Sequence, residues 1–131
     1  MIGIDTNVLV RYIAQDHAVQ SRQAAEFVER RLTPQNPGYL SVIAMAETAW
    51  VLERAYGLSD RSLAAAIERI LQIDVFVVEN EQEVFAAMIA LKARRGSFAD
   101  ALIGALDAKA GCSGTVTFDK GALRLPGFAL L

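Results

Sequence analysis

The chain has one cysteine, one histidine, one tryptophan and three prolines in 131 residues. The lone cysteine, Cys112, excludes an internal disulfide and any cysteine-rich zinc site. Flanked by Gly111 and Ser113, it reads as a small buried or loop residue. The lone histidine, His17, excludes ribonuclease chemistry that works through two histidines. A Ser-His-Asp triad would have to use it, and the chain has no G-x-S-x-G elbow. Near a helix start, His17 reads as a surface or partner-facing residue. Long apolar runs are missing too. The charge-free segment Pro34–Ala46 contains proline, glycine and asparagine and ends at Glu47, and no stretch reaches the roughly 18 apolar residues of a membrane span. The N-terminus lacks the basic segment of a signal peptide, and Asp5 arrives too early for one. The expectation is a cytoplasmic protein without membrane association. Excess charge is also missing. Thirteen basic and fifteen acidic residues give a net charge of −2, which is not the signature of a nucleic-acid binder.

What the chain does have is apolar residues in quantity. They make up 53% of it, and the mean hydropathy is +0.30, which argues for a packed core and against disorder. The length suits one domain spanning residues 1–131. Met1–Asp5 reads as a short buried strand. Thr6 can cap a helix over Asn7–Ala14, and Asp16 one over His17–Leu32 with Ala24, Phe27, Val28 and Leu32 at helical spacing. Thr33–Gly38 is a loop and Gly38–Leu40 a strand. Ser41 caps a helix running to Tyr56, which Gly57 ends, and Ser59 caps the next to Leu71. Val75–Val78 is uniformly apolar, like a parallel strand. Asn80 with Glu83 resembles a capping box opening a helix to Arg95, broken by Gly96. Ser97 caps the helix Phe98–Ala110, and a turn leads into the strand Thr115–Phe118. Phe128–Leu131 is a last strand. Strands separated by helices predict an α/β domain of three α/β/α layers with a central, mainly parallel sheet. Apolar stripes on the second and fourth helices fit either a large core or a dimer or partner surface.

Four acids stand beside these apolar segments. Asp5 ends the first strand, Glu47 interrupts Val42–Trp50, Asp100 lies in the first turn of its helix, and Asp119 follows the strand Thr115–Phe118. Carboxylates next to a core are costly unless paired or bound to a cation. Each has an ordinary explanation as well. Asp100 is three residues after Ser97 and suits a capping box. Asp5 and Asp119 suit turns or caps, and Glu47 suits a satisfied buried acid, since Ile43, Trp50 and Val51 share its helical face. Asp107 reads as structural. The order of elements puts all four acids on the edge where strands end and following helices begin, which is where ligands bind in parallel sheets.

Carboxylates gathered there repel one another unless a hard divalent cation neutralises them. Mg²⁺ or Mn²⁺ with oxygen ligands suits phosphate substrates, and such a site can activate water for in-line displacement. With these four neutralised, eleven acids face thirteen basic residues, so an acidic pI does not exclude a phosphodiester substrate.

Four segments carry a resemblance. They are Gly3-Ile4-Asp5-Thr6-Asn7-Val8-Leu9-Val10-Arg11-Tyr12, Ser41-Val42-Ile43-Ala44-Met45-Ala46-Glu47, Phe98-Ala99-Asp100-Ala101-Leu102-Ile103 and Thr117-Phe118-Asp119. In this order and over nearly the whole chain, they resemble the PIN-domain family, and within it the VapC-type toxins of bacterial toxin–antitoxin pairs. The resemblance implies a metal-dependent endoribonuclease that hydrolyses RNA with a metal-activated water. Asp5, Glu47, Asp100 and Asp119 would form its acidic cluster. Asp5, Asp100 and Asp119 would hold Mg²⁺ or Mn²⁺, and Glu47 would act through water or on the nucleophile. Thr6, Asn7 and Thr117 match residues that orient such a cluster, although capping and strand-end bonding also account for Thr6 and Thr117. Arg11 would pair with an acid or touch RNA. Arg94, Arg95 and Lys120 would contact phosphates or simply face solvent. A homodimer and a cognate antitoxin are the implied partners. Other readings are a PIN-like nuclease that is not a toxin, a binding module with an acidic pocket, and a small phosphatase using Asp5 as nucleophile. The phosphatase would want a second acid where Asn7 stands.

Overall fold

Single strands alternate with helical segments, mostly paired helices, in a computed structural model that describes residues 1–131. Strand β1 (Ile2–Gly3) leads into α1 (Thr6–Ala14) and α2 (Ala18–Glu26), which continues as a π-helical turn over Phe27–Arg31. Then come β2 (Gly38–Leu40), α3 (Val42–Arg54), α4 (Asp60–Leu71), β3 (Phe76–Val78), α5 (Glu81–Lys92) and α6 (Phe98–Lys109). Strand β4 (Thr115–Thr117), a 3₁₀ turn over Lys120–Arg124 and β5 (Phe128–Leu130) finish the chain. The fold is α/β with every strand pairing parallel, as the alternation predicts. Hydrogen bonding divides the strands into a three-stranded sheet in the order β1-β2-β3 and a two-stranded sheet β4-β5. No helix is long and apolar enough to cross a membrane.

The serine caps are where the sequence puts them. Ser41 Oγ accepts the Ala44 N–H, Ser59 Oγ the Ser62 N–H and Ser97 Oγ the Asp100 N–H, at 3.1, 3.2 and 3.1 Å. Each cap contributes about 1 kcal/mol. Helix α4 then buries Leu63, Ala64, Ile67 and Ile70 on one face. A fully buried Leu or Ile contributes about 1.5–3 kcal/mol. These residues belong to a single cluster of buried apolar side chains that also takes in Leu9, Leu40, Met45, Leu52, Met88 and Leu102. Gly38 lets β2 approach its neighbours closely: a Cβ there would collide with Ile4 Cδ1 and meet Leu32 Cδ1 at 2.9 Å.

Several local expectations are corrected. Thr6 does not cap α1 but is its first residue, and Asp5 takes the N-cap backbone position. His17, not Asp16, caps α2, its Nδ1 accepting the Gln20 N–H at 3.1 Å. Asp16 instead accepts from the Tyr56 hydroxyl at 2.7 Å. That bond, with Arg11 beside it, holds the Asp16 carboxyl below the usual carboxylate range and the Tyr56 phenol above its own. Asn80 and Glu83 form no capping box. Asn80 is left-handed (φ 51) without a side-chain cap, and both residues meet Lys109 from α6. Helix α5 ends at Lys92 before Gly96, with Arg94 taking the left-handed position (φ 59). The stripe on α4 is core, and α2 exposes only Val19 among its large apolar residues. Exposed apolar side chains stand instead on α3, α5 and α6. Cys112 is an exposed residue in the turn after α6.

Candidate active site

Asp5 follows β1 and adopts the extended backbone of a helix N-cap (φ −76, ψ 154), yet its carboxylate caps nothing. Its carbonyl accepts the N–H groups of Val8 and Leu9 at 3.1 and 3.3 Å, so the backbone starts the helix unaided. The side chain is exposed, and with Asn7 and Arg11 it lines a cleft between α1 and α2. Asn7 is exposed and makes no side-chain hydrogen bond to the protein. Thr6 is buried, and its hydroxyl donates to Glu47 Oε1. This bond joins α1 to α3 across 41 residues of chain.

Glu47 is not buried. Its neighbours on the helical face, Ile43 and Trp50, are themselves 73% and 60% exposed, so that face looks outward. The next residue, Thr48, is buried, and its Oγ1 has no partner. Helix α3 is anchored at its start by a residue that sequence reasoning missed. Glu79 follows β3, and its Oε1 accepts the Val42 N–H at 2.9 Å. The signal was present, since Glu79 ends an apolar strand just as Asp5 and Asp119 do. Burial, together with the negative charge of Glu79, also holds the Tyr39 phenol above its ordinary value.

Asp100 is half-buried in the first turn of α6. Its N–H goes to Ser97 Oγ, but its carboxylate makes no reciprocal bond, so the capping box is only half formed. Asp119 does act as a cap. Its Oδ1 accepts the Gly121 N–H at 2.7 Å, opening the 3₁₀ turn, while its own N–H donates to Thr117 Oγ1 at 3.0 Å. Asp107 is structural as expected, accepting from the Thr115 hydroxyl at 2.7 Å. Arg11 takes the acid-pairing alternative: its guanidinium reaches Gln20, Asp16 and Tyr56 at 2.8, 3.5 and 3.2 Å. Lys120 is exposed and pairs with no acid.

The structure thus links Thr6 to Glu47 and Thr117 to Asp119, but it does not close the four acids on one another. No three His, Cys, Asp or Glu side chains stand at the spacing of one metal's ligands. The donor chemistry fits a hard divalent cation all the same. Every candidate is a carboxylate, three of the four are exposed, and two have no structural bond to break. The PIN-domain family model matches residues 2–127. The chain belongs to the PIN-domain family. PIN domains are generally metal-dependent nucleases, and their substrates are nucleic acids. A search of curated proteins finds no match.

Proposed function

We propose that this PIN domain is a Mg²⁺- or Mn²⁺-dependent endoribonuclease and the toxin of a VapC-type toxin–antitoxin pair, forming a single domain and working in the cytoplasm. The observation that carries the reading is Asp5. It is a carboxylate at a strand end and a helix start, with no structural bond to explain it. Asp5, Asp100 and Asp119 are the residues that would hold the cation. When bound, the cation neutralises the phosphate and lowers the pKa of a bound water.

The protein's own part is positioning and proton transfer. Thr6 occupies Glu47 Oε1 and so orients the carboxylate, leaving Oε2 to take the proton of the attacking water. The water oxygen adds to phosphorus, the bond to the ribose oxygen of the departing strand breaks, and that oxygen takes up a proton from solvent as it leaves. Thr117 steadies the turn that carries Asp119. The exposed Phe85 and Ile89 of α5 and Ile103 of α6 supply apolar area for a second copy or an antitoxin.

The test is cleavage of RNA by purified protein with Mg²⁺ or Mn²⁺ and with chelator. Cleavage should require the metal and vanish in Asp5→Asn. Cleavage by Asp5→Asn at the wild-type rate would sink the assignment. Expression of the wild type, but not of this variant, should arrest growth unless the gene upstream is expressed with it.

A further inference from the structure

The net charge of −2 hides an uneven distribution. Two adjoining clefts, sharing Asp60 and Arg94, are lined by Arg61, Lys92, Arg94, Arg95 and Arg124, against Glu53 and Asp60 as the only acids. None of the four arginines is within ion-pair distance of an acid, because the chain's ion pairs use Arg11, Lys92 and Lys109. This unpaired positive charge adjoins the proposed active site. The same lining includes Ser97, whose hydroxyl holds the Asp100 N–H, and Gly121, whose N–H holds Asp119.

Arg94 adds an independent observation. The helix end at α5 is a Schellman motif: the Arg95 N–H reaches the Ala90 carbonyl and the Arg94 N–H the Leu91 carbonyl, at 3.0 and 2.9 Å. The left-handed residue of that motif is ordinarily glycine. Arg94 occupies it at φ 59, and Arg124 donates to its carbonyl at 3.3 Å. A left-handed backbone position that glycine would fill more easily holds a long cation instead. Strain of this kind concentrates at functional sites.

We infer that the Arg94–Arg95–Arg124 cleft is the track for the RNA strand leading away from the cleaved bond, gripping its phosphates. The inference rests on the nuclease reading above. Leu91 is the one apolar residue in the cleft between these arginines, so the track offers charge without a surface for base stacking. Its grip is therefore on the backbone and indifferent to sequence.

Fluorescence anisotropy with labelled single-stranded RNA oligonucleotides of several sequences tests this, using Asp5→Asn to prevent cleavage. Arg94→Glu/Arg95→Glu in that background should weaken binding about tenfold or more for every sequence. It should also flatten the salt dependence by about 0.7 in log–log slope per lost phosphate contact. Arg94→Gly separates fold from function, since it should raise the melting temperature while still weakening RNA binding. Unchanged affinity and slope in the double variant would overturn the track, as would loss confined to one sequence or loss only of binding to a protein partner. Failure of the nuclease reading looks different: folded wild-type protein would neither bind nor cleave any RNA.

Discussion

Asp5 and Asp119 each follow a parallel strand and each take the extended backbone of an N-cap, one in the three-stranded sheet and one in the two-stranded sheet. They use their carboxylates differently. Asp119 bonds the Gly121 N–H, whereas Asp5 bonds nothing in the protein. Around Asp5 the structural work falls to other residues. Ser41 and Glu79 secure the start of α3, and the Thr6 hydroxyl orients Glu47. The C-terminal region has no such division, and Asp119 is proposed to be both cap and ligand. A carboxylate free of structural duty can be given wholly to chemistry; one that caps a turn is held by that bond while it serves a cation.

Alanine at the two positions should separate these roles. Asp5→Ala should lower cleavage by about 10²–10³, several kcal/mol of lost transition-state stabilisation, with a melting temperature equal to or above wild type. Asp119→Ala should lower cleavage too, but also cost about 1 kcal/mol of stability through the lost cap, a fall of roughly 2–6 °C by calorimetry. Equal melting temperatures for the two variants would erase the contrast.

A smaller effect is expected at Thr6. Valine fits the buried site but cannot donate to Glu47, so Thr6→Val should slow cleavage about tenfold by leaving the proton-accepting carboxylate unoriented. Thr6→Ser should recover most of it. An unslowed Thr6→Val enzyme would leave Glu47 without an orienting role.

The smallest effect lies away from the acids, at the Tyr56–Asp16 contact. Because the folded Asp16 carboxyl titrates below its unfolded value, its contribution is present above the unfolded pKa and is lost as pH falls through the folded one. Tyr56→Phe removes the main cause of the shift, and an NMR titration should then find Asp16 closer to about 3.9. No movement would assign the shift to Arg11 instead.

Local signals were legible and distant partners were not. Ser41, Ser59 and Ser97 marked three helix starts because a cap bonds a backbone N–H three residues on, an interaction contained in the sequence neighbourhood. Asn80 with Glu83 carried the same kind of signal and misled, because Lys109, 29 residues from Asn80, takes both side chains. The face shared by Ile43, Glu47 and Trp50 was periodic enough to suggest burial. No element packs over it, so it faces outward. Glu79, the other strand-end acid, finds its partner only through the approach of α3, 37 residues away in the chain.

The sequence by itself determined the alternation of strands and helices, the parallel pairing that follows from it, and the four acids that match the family, since periodicity, capping and motif order act over a few residues at a time. Only the tertiary structure decided which acids are free and which are spent on the fold, that Arg11 is held by Asp16 while Arg94, Arg95 and Arg124 share an open cleft, and which apolar faces are left uncovered. Those outcomes depend on side chains brought together from distant parts of the chain, and on the burial and charge they meet there.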